Sequence, residues 1–312
     1  MVSKSFRALM TGLVDYAGLF PPAKLEMAKA AENFARDSMG AHAWAQGRFI
    51  CPATRLDELS EHAASLMPGT HATSGYREHA DMVEPWRVSV VCDTELGAAL
   101  DAIDAFNARH SEEQNGRAQA DSIEIRVQKV GAIDEALDVL PEDVFPYFEV
   151  PVEGDCRGFV TAVAGNSAAA KIRCGGITPD AFPTSAQVAA FIHACADAQV
   201  PFKATAGLHH PVRAEYPLTY EANPPRGVMH GYVNVFLAAA LVSRGGLERE
   251  RTAQLLEETD AAAFEFTDEH ASWGGASVDL AALAEVRERF ALSYGSCSFE
   301  EPVGDAKRLG WM

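Results

Sequence analysis

Basic residues are scarce in this chain: 26 lysines and arginines stand against 44 aspartates and glutamates, a formal net charge of −18 over 312 residues. A general nucleic-acid binder rests its affinity on a basic face, so that class is set aside, and nucleic acid is not expected as a partner. Long apolar runs are also missing. No stretch approaches the about 18 to 20 apolar residues of a membrane span. Met1 to Phe20 lacks the apolar core and cleavage pattern of a signal peptide, since Gly12-Leu13-Val14 is broken at once by Asp15. The six cysteines (Cys51, Cys92, Cys156, Cys174, Cys195 and Cys297) are scattered with no CxxC pair, which removes zinc-ribbon and thioredoxin readings. Reduced thiols in a cytoplasm are expected in a chain of this size, rather than a disulfide framework. What is present is 48% hydrophobic and 22% charged residues, enough for a large core in an ordinary globular protein.

Periodicity places strand-like runs at Arg48–Pro52, Arg87–Asp93, Ser122–Gln128 and Phe145–Pro151. Four more follow at Ala170–Gly175, Phe202–Gly207, Ala263–Asp268 and Leu292–Ser298. Helical patterns lie between them, among them Leu25–Met39, Thr94–His110, Ser185–Gln199 with Ser185 as N-cap, and Met229–Ser243. The last is apolar almost all round and is expected to pack deeply, either internally or against a second copy, so a homo-oligomer stays open. Eight strands alternating with helices is the arithmetic of a (β/α)8 TIM barrel, which typically needs about 250 residues. A doubly wound open sheet is the alternative, but no G-x-G-x-x-G follows an early strand. A single domain spanning residues 1–312 is expected, with residues 1–47 as a loop and helix extension.

Alternate side chains of a strand face opposite ways. Ile123, Ile125 and Val127 oppose Glu124, Arg126 and Gln128; Ile172 and Cys174 oppose Lys171 and Arg173. Phe202, Ala204 and Ala206 oppose Lys203, Thr205 and Gly207, while Phe264 and Phe266 oppose Glu265 and Thr267. In a barrel the apolar faces meet the helices, so Glu124, Arg126, Glu149, Lys171, Arg173, Lys203 and Glu265 are expected near the axis. Buried ions cost several kcal/mol each unless paired. A set of ion pairs filling a polar interior accounts for any one of them; all seven together favour a site.

Arginine's planar fork matches carboxylate or phosphate, so Arg126 and Arg173 are the candidates for holding a small anionic metabolite. Lysine beside other cations has a depressed pKa and becomes a nucleophile, which nominates Lys203 and Lys171. His209 and His210 follow the strand at Phe202, where barrels place chemistry, and either can move protons. Glu149 is a second proton carrier. The pairs Gly175-Gly176 and Gly274-Gly275 can bind anions through backbone N–H groups, Ser277 serving as N-cap after the second pair; plain turn geometry is the alternative for both. Asp15 to Pro22 matches no regular element; it would either cover one mouth of the barrel, with Asp15 or Tyr16 reaching in, or plug the N-terminal bottom and serve stability only. Cys297 is more ordinarily a small buried hydrophobe than a nucleophile.

The run Lys203-Ala204-Thr205-Ala206-Gly207 resembles the sixth-strand motif of class I aldolases of the deoxyribose-phosphate type. Lys203, Thr205 and Gly207 carry the resemblance, which covers about five residues. It implies a Schiff base between a lysine and a carbonyl substrate, assisted by an activating lysine on the seventh strand. The predicted seventh strand carries Glu265 instead. Taken whole, the chain is similar to uncharacterised bacterial (β/α)8-barrel proteins with the opening LVDYAGLFPPA, here Leu13 to Ala23.

Three readings follow. The first is a lyase without cofactor, with Lys203 as nucleophile, Arg126 and Arg173 holding the anion, and Glu149, His209 or Lys171 assisting. The second is a hydrolase, lyase or isomerase using Zn, Mn or Mg on His209, His230, Glu149 and Glu265. The third is a barrel that holds a small anion without turnover.

Overall fold

In the computed structural model residues 2–69 and 84–312 are described, and every candidate site residue falls within them. Eight parallel strands close a barrel. In chain order these are β1 (Val14–Tyr16), β2 (Gln46–Pro52), β3 (Trp86–Val91), β4 (Ala118–Arg126), β5 (Phe145–Glu149), β6 (Ala169–Arg173), β7 (Phe202–Thr205) and, as the eighth, β13 (Ala291–Ser296). The expected TIM barrel is therefore present.

Two details of the sequence reading are corrected. The first barrel strand is β1, which pairs with both β13 and β2. Residues 1–47 thus hold the first strand and its helix α2 (Met27–Ser38), and only α1 (Lys4–Met10) stands outside the alternation. Three residues are too few to display a period, which is why Val14-Asp15-Tyr16 read as loop. Conversely, Ala263–Asp268 is no barrel strand. Its core is β10 (Phe264–Phe266), the edge of an antiparallel sheet with β11 (His270–Trp273) and β12 (Ala276–Asp279). Phe266 packs edge-on against Phe6 of α1 and Phe264 against Trp311, so these side chains pack beside α1 and the C-terminus, outside the barrel strands.

The helices are α3 (Leu56–Ala63), α4 (Leu96–His110), α5 (Gly131–Leu137), α6 (Arg157–Val163), α7 (Ser185–Asp197), α8 (Tyr232–Gly245), α9 (Arg249–Glu257), α10 (Leu280–Arg289) and α11 (Glu300–Arg308). Helix α7 begins one residue earlier than expected: Thr184 is its cap, in a reciprocal capping box with Gln187. Asp279, not Ser277, caps α10, because Ser277 lies in β12. Every residue from Tyr232 to Leu241 of α8 is buried within the single chain, so internal packing explains its all-round apolarity. The connection from β7 to α8 also carries a short hairpin of β8 (Ala214–Pro217) and β9 (Arg226–Met229). No helix among the described residues is long and apolar enough to cross a membrane.

Candidate active site

The strands bring six ionic side chains together along the axis in alternating sign. Lys203 Nζ lies 2.6 Å from Asp15 Oδ2 and 2.6 Å from Glu124 Oε1. Lys171 Nζ lies 2.8 Å from the other Glu124 oxygen and 2.6 Å from Glu149 Oε2. Arg173 Nε then meets Glu149 Oε1 at 3.0 Å. Each buried charge meets at least one opposite charge, and the inner ones meet two, which is the condition for keeping ions out of water. Hydroxyls complete the lower half: Ser89 donates to Glu124 and Ser293 to Asp15, both at 2.7 Å. Asp15 also accepts from the Arg48 backbone N–H at 2.7 Å, and a Cβ at Gly47 would lie 2.2 Å from its Oδ1. Glycine is needed there to admit the carboxylate.

The charge set differs from the expected one at a single member. Glu265 lies on β10, well exposed and beside Ser272 and His270, and Asp15 takes its place at the axis. Three carboxylates balance Lys203, Lys171 and Arg173. Arg126 is left over at the exposed mouth, and no carboxylate lies within ion-pair distance of it among the described residues.

A cavity of about 430 Å³ opens above this ladder, within the size range of small-molecule sites. Glu124, Arg126, Glu149, Lys171, Arg173, Thr205 and His209 line it, together with Ile50, Val91 and Cys92. Ala17, Phe20 and Pro21 form part of its wall, so the segment after β1 covers the C-terminal mouth while Asp15 reaches the axis. A larger polar cleft of about 650 Å³ beside α7 and α8 contains none of the candidate site residues.

Lys203, the expected nucleophile, does not line the cavity and is wholly buried. Burial alone would lower its pKa, but Asp15 and Glu124 hold it above the ordinary lysine value. The expectation of a depressed lysine fails because its nearest neighbours are carboxylates, not cations. Glu124 shows the reciprocal effect: burial would raise it, yet Lys171 and Lys203 hold it far below the carboxylate range. Glu149 is also lowered, Lys171 and Arg173 outweighing burial. The lysine that reaches the cavity is Lys171.

The glycine pairs separate. Gly176 lines the cavity, whereas Gly175 and Gly207 let two loops cross: a Cβ on Gly207 would lie 2.7 Å from Gly175 Cα, and Gly207 has φ +69°. Gly274 and Gly275, with φ of +55° and +81°, form the two-residue turn joining β11 to β12. That is plain hairpin chemistry on the sheet beside α1, away from the cavity.

The histidines separate too. His209 is at the cavity, with Nδ1 3.2 Å from Glu301 Oε2 and 3.9 Å from Cys297 Sγ. His210 points elsewhere, stacked on Tyr216 at 3.6 Å with Nδ1 2.5 Å from Asp305. His230 is spent on structure: its Nε2 is 2.7 Å from the Pro183 carbonyl and its Nδ1 3.2 Å from Arg213. The proposed metal set is therefore dispersed, since His230 and Glu265 do not join His209 and Glu149. Among the described residues no group of three or more His, Cys, Asp or Glu is arranged to hold a metal ion.

Periodicity did not show that Asp15 lies on a strand, since β1 is too short to read, and it gave no role to Ser293, Tyr220 or Glu301. Ser293 lies on β13, a strand the sequence did show, but a hydroxyl carries no charge to mark it. Tyr220, between β8 and β9, and Glu301, in the first turn of α11, reach the site only through the tertiary fold. No protein-family model, no curated protein and no solved structure matches this chain.

Proposed function

We propose that this barrel is an enzyme for a small anionic carbonyl compound, a lyase of the aldolase type working through a Schiff base on Lys171. The observation that carries the reading is Lys171 itself: it is the lysine on the cavity wall, between two carboxylates and below an arginine with spare hydrogen-bonding capacity. Counting β1 as the first strand makes β6 the sixth and β7 the seventh. The resemblance noted above implies a Schiff-base lysine on the sixth strand and an activating lysine on the seventh. Lys171 and Lys203 occupy those two strands, although the short motif itself sits around Lys203 on the seventh.

Arg126 binds the substrate's carboxylate or phosphate by a bidentate, charge-assisted contact. An anion at the rim also competes with Glu149 for Arg173. Relieved of that partner, Glu149 takes a proton from the Lys171 amine 2.6 Å away, and the neutral amine attacks the carbonyl carbon. Loss of water gives the imine, which Glu149 protonates to the iminium. Glu149 then takes the proton of the substrate's β-hydroxyl as the carbon–carbon bond breaks, releasing an aldehyde while the electron pair moves to the iminium nitrogen to give an enamine. Glu149 returns that proton to the enamine carbon, and water hydrolyses the resulting iminium to free the second product and the Lys171 amine. Lys203 keeps Glu124 charged beneath this centre and takes no part in bond making. All six cysteines are free, in keeping with a reducing, cytoplasmic setting.

Borohydride reduction in the presence of pyruvate, glyoxylate and small phosphorylated aldehydes tests the reading. A reduced adduct on Lys171, absent from Lys171→Met, is the expected result. Adducts on Lys203, or none with any carbonyl probe while the protein stays folded, would reject it.

A further inference from the structure

One cluster on the same cavity takes no part in the ionic ladder. Cys297 follows β13, with Sγ 3.9 Å from His209 Nδ1 and 3.5 Å from the Tyr220 hydroxyl. Glu301, in the first turn of α11, accepts from Tyr220 at 2.9 Å and lies 3.2 Å from the same His209 nitrogen. Tyr16 of β1 is the further titratable group acting on the thiol. Cys297 is buried and borders both the axial cavity and a smaller polar pocket of about 250 Å³ beside α2.

We infer that Cys297, paired with His209, is a second reactive centre of the cavity, a nucleophilic thiol that takes up small α,β-unsaturated carbonyl compounds by conjugate addition. In that step Sγ bonds to the β carbon and the alkene pair moves to the α carbon. The α carbon takes its proton from the His209 imidazolium, so nothing leaves and no oxidant is needed.

Two observations support the pairing. Burial opposes a charged imidazole, but contacts with Cys297 and Glu301 push His209 up to about 10, which keeps it a proton donor at neutral pH. A histidine within contact distance of a thiol is the arrangement of a cysteine nucleophile with its proton partner. The other thiols lack such a partner among the described residues. Cys92 lines the same cavity yet is raised by burial, and burial pushes Cys174 up to about 12.

Competitive alkylation with iodoacetamide below neutral pH, followed cysteine by cysteine by mass spectrometry, tests the inference. Cys92 lines the same cavity and is the more exposed of the two, so access alone would favour Cys92. Cys297 is expected to react at least about tenfold faster than Cys92, and His209→Asn to cancel that advantage while leaving the Cys92 rate alone. Acrylamide and fumaraldehydic acid should add their full mass to Cys297 and not to Cys297→Ser. Equal rates at the two cysteines, or an advantage that survives His209→Asn, would overturn the pairing. Should His209→Asn fold poorly, the wild-type ratio of Cys297 to Cys92 rates decides: an advantage of about tenfold or more for Cys297 supports the pair, and equal rates reject it. Lys171→Met should retain Cys297 labelling while losing borohydride trapping, so failure of this centre and failure of the lyase reading are told apart.

Discussion

Lys171 and Lys203 are register partners on adjacent strands, on the same inner face, and both bridge two carboxylates. One lines the cavity and the other is sealed beneath it. The difference lies in what stands above each. Lys171 is followed on its own face by Arg173, which draws Glu149 toward the mouth and leaves the amine at the cavity floor. Lys203 is enclosed by Asp15, Glu124, Ser293 and the Tyr147 ring, whose centroid is 5.1 Å from Nζ. The same residue type on the same face thus serves stability in one case and faces the ligand in the other.

The largest expected effect follows from that contrast. Lys203→Met removes one partner of a buried ion pair and leaves Asp15 and Glu124 facing each other. It should cost about 3–5 kcal/mol of stability, read from denaturant unfolding. Lys171→Met should cost less, because Glu124 keeps Lys203 and Glu149 keeps Arg173, while carbonyl trapping is lost. The reverse order of stabilities would break the comparison.

Arg126→Ala comes next. It should weaken binding of an anionic ligand by about 10- to 100-fold, measured by calorimetry, with stability nearly unchanged. Equal binding by wild type and variant would remove Arg126 from the site.

The adjacent histidines sharpen the comparison through pH. His209, held at about 10 in the folded chain against an ordinary 6.5, binds a proton that the unfolded chain releases. Its contribution is complete below about pH 6.5 and is lost as pH rises toward 10. His210 behaves oppositely: burial and the charge on His209 push it down to about 4 despite nearby Asp305, whose charge Arg308 already meets. Its contribution is present above about pH 6.5 and is lost as pH falls toward 4. Thermal midpoints of His209→Asn and His210→Asn across this range should approach wild type at opposite ends, at high pH for His209→Asn and at low pH for His210→Asn.

The smallest effect belongs to Glu265→Gln, on the sheet outside the barrel. Stability should change by about half a kcal/mol or less, and carbonyl trapping should not change. A loss of trapping would return Glu265 to the site.

Seven of the barrel strands were legible because each carries four or more residues whose alternation separates an axial from a helix-facing side. That alternation also identified six of the charged side chains near the axis, including Lys171, Glu149 and Arg126. It failed at Val14–Tyr16 and at Phe264–Phe266, where a period of two is either too short to see or identical in parallel and antiparallel sheets.

The amino-acid sequence alone determined the class of fold and which charged side chains of β4 to β7 face inward, since both follow from local periodicity. Depth along the axis, partner identity and what seals or opens each group were decided by the tertiary structure. They depend on strand register and on the chain after β1 closing over the mouth, so that Asp15 meets Lys203 across 188 positions of sequence. Electrostatic energy is set by such distances, and no local pattern encodes them.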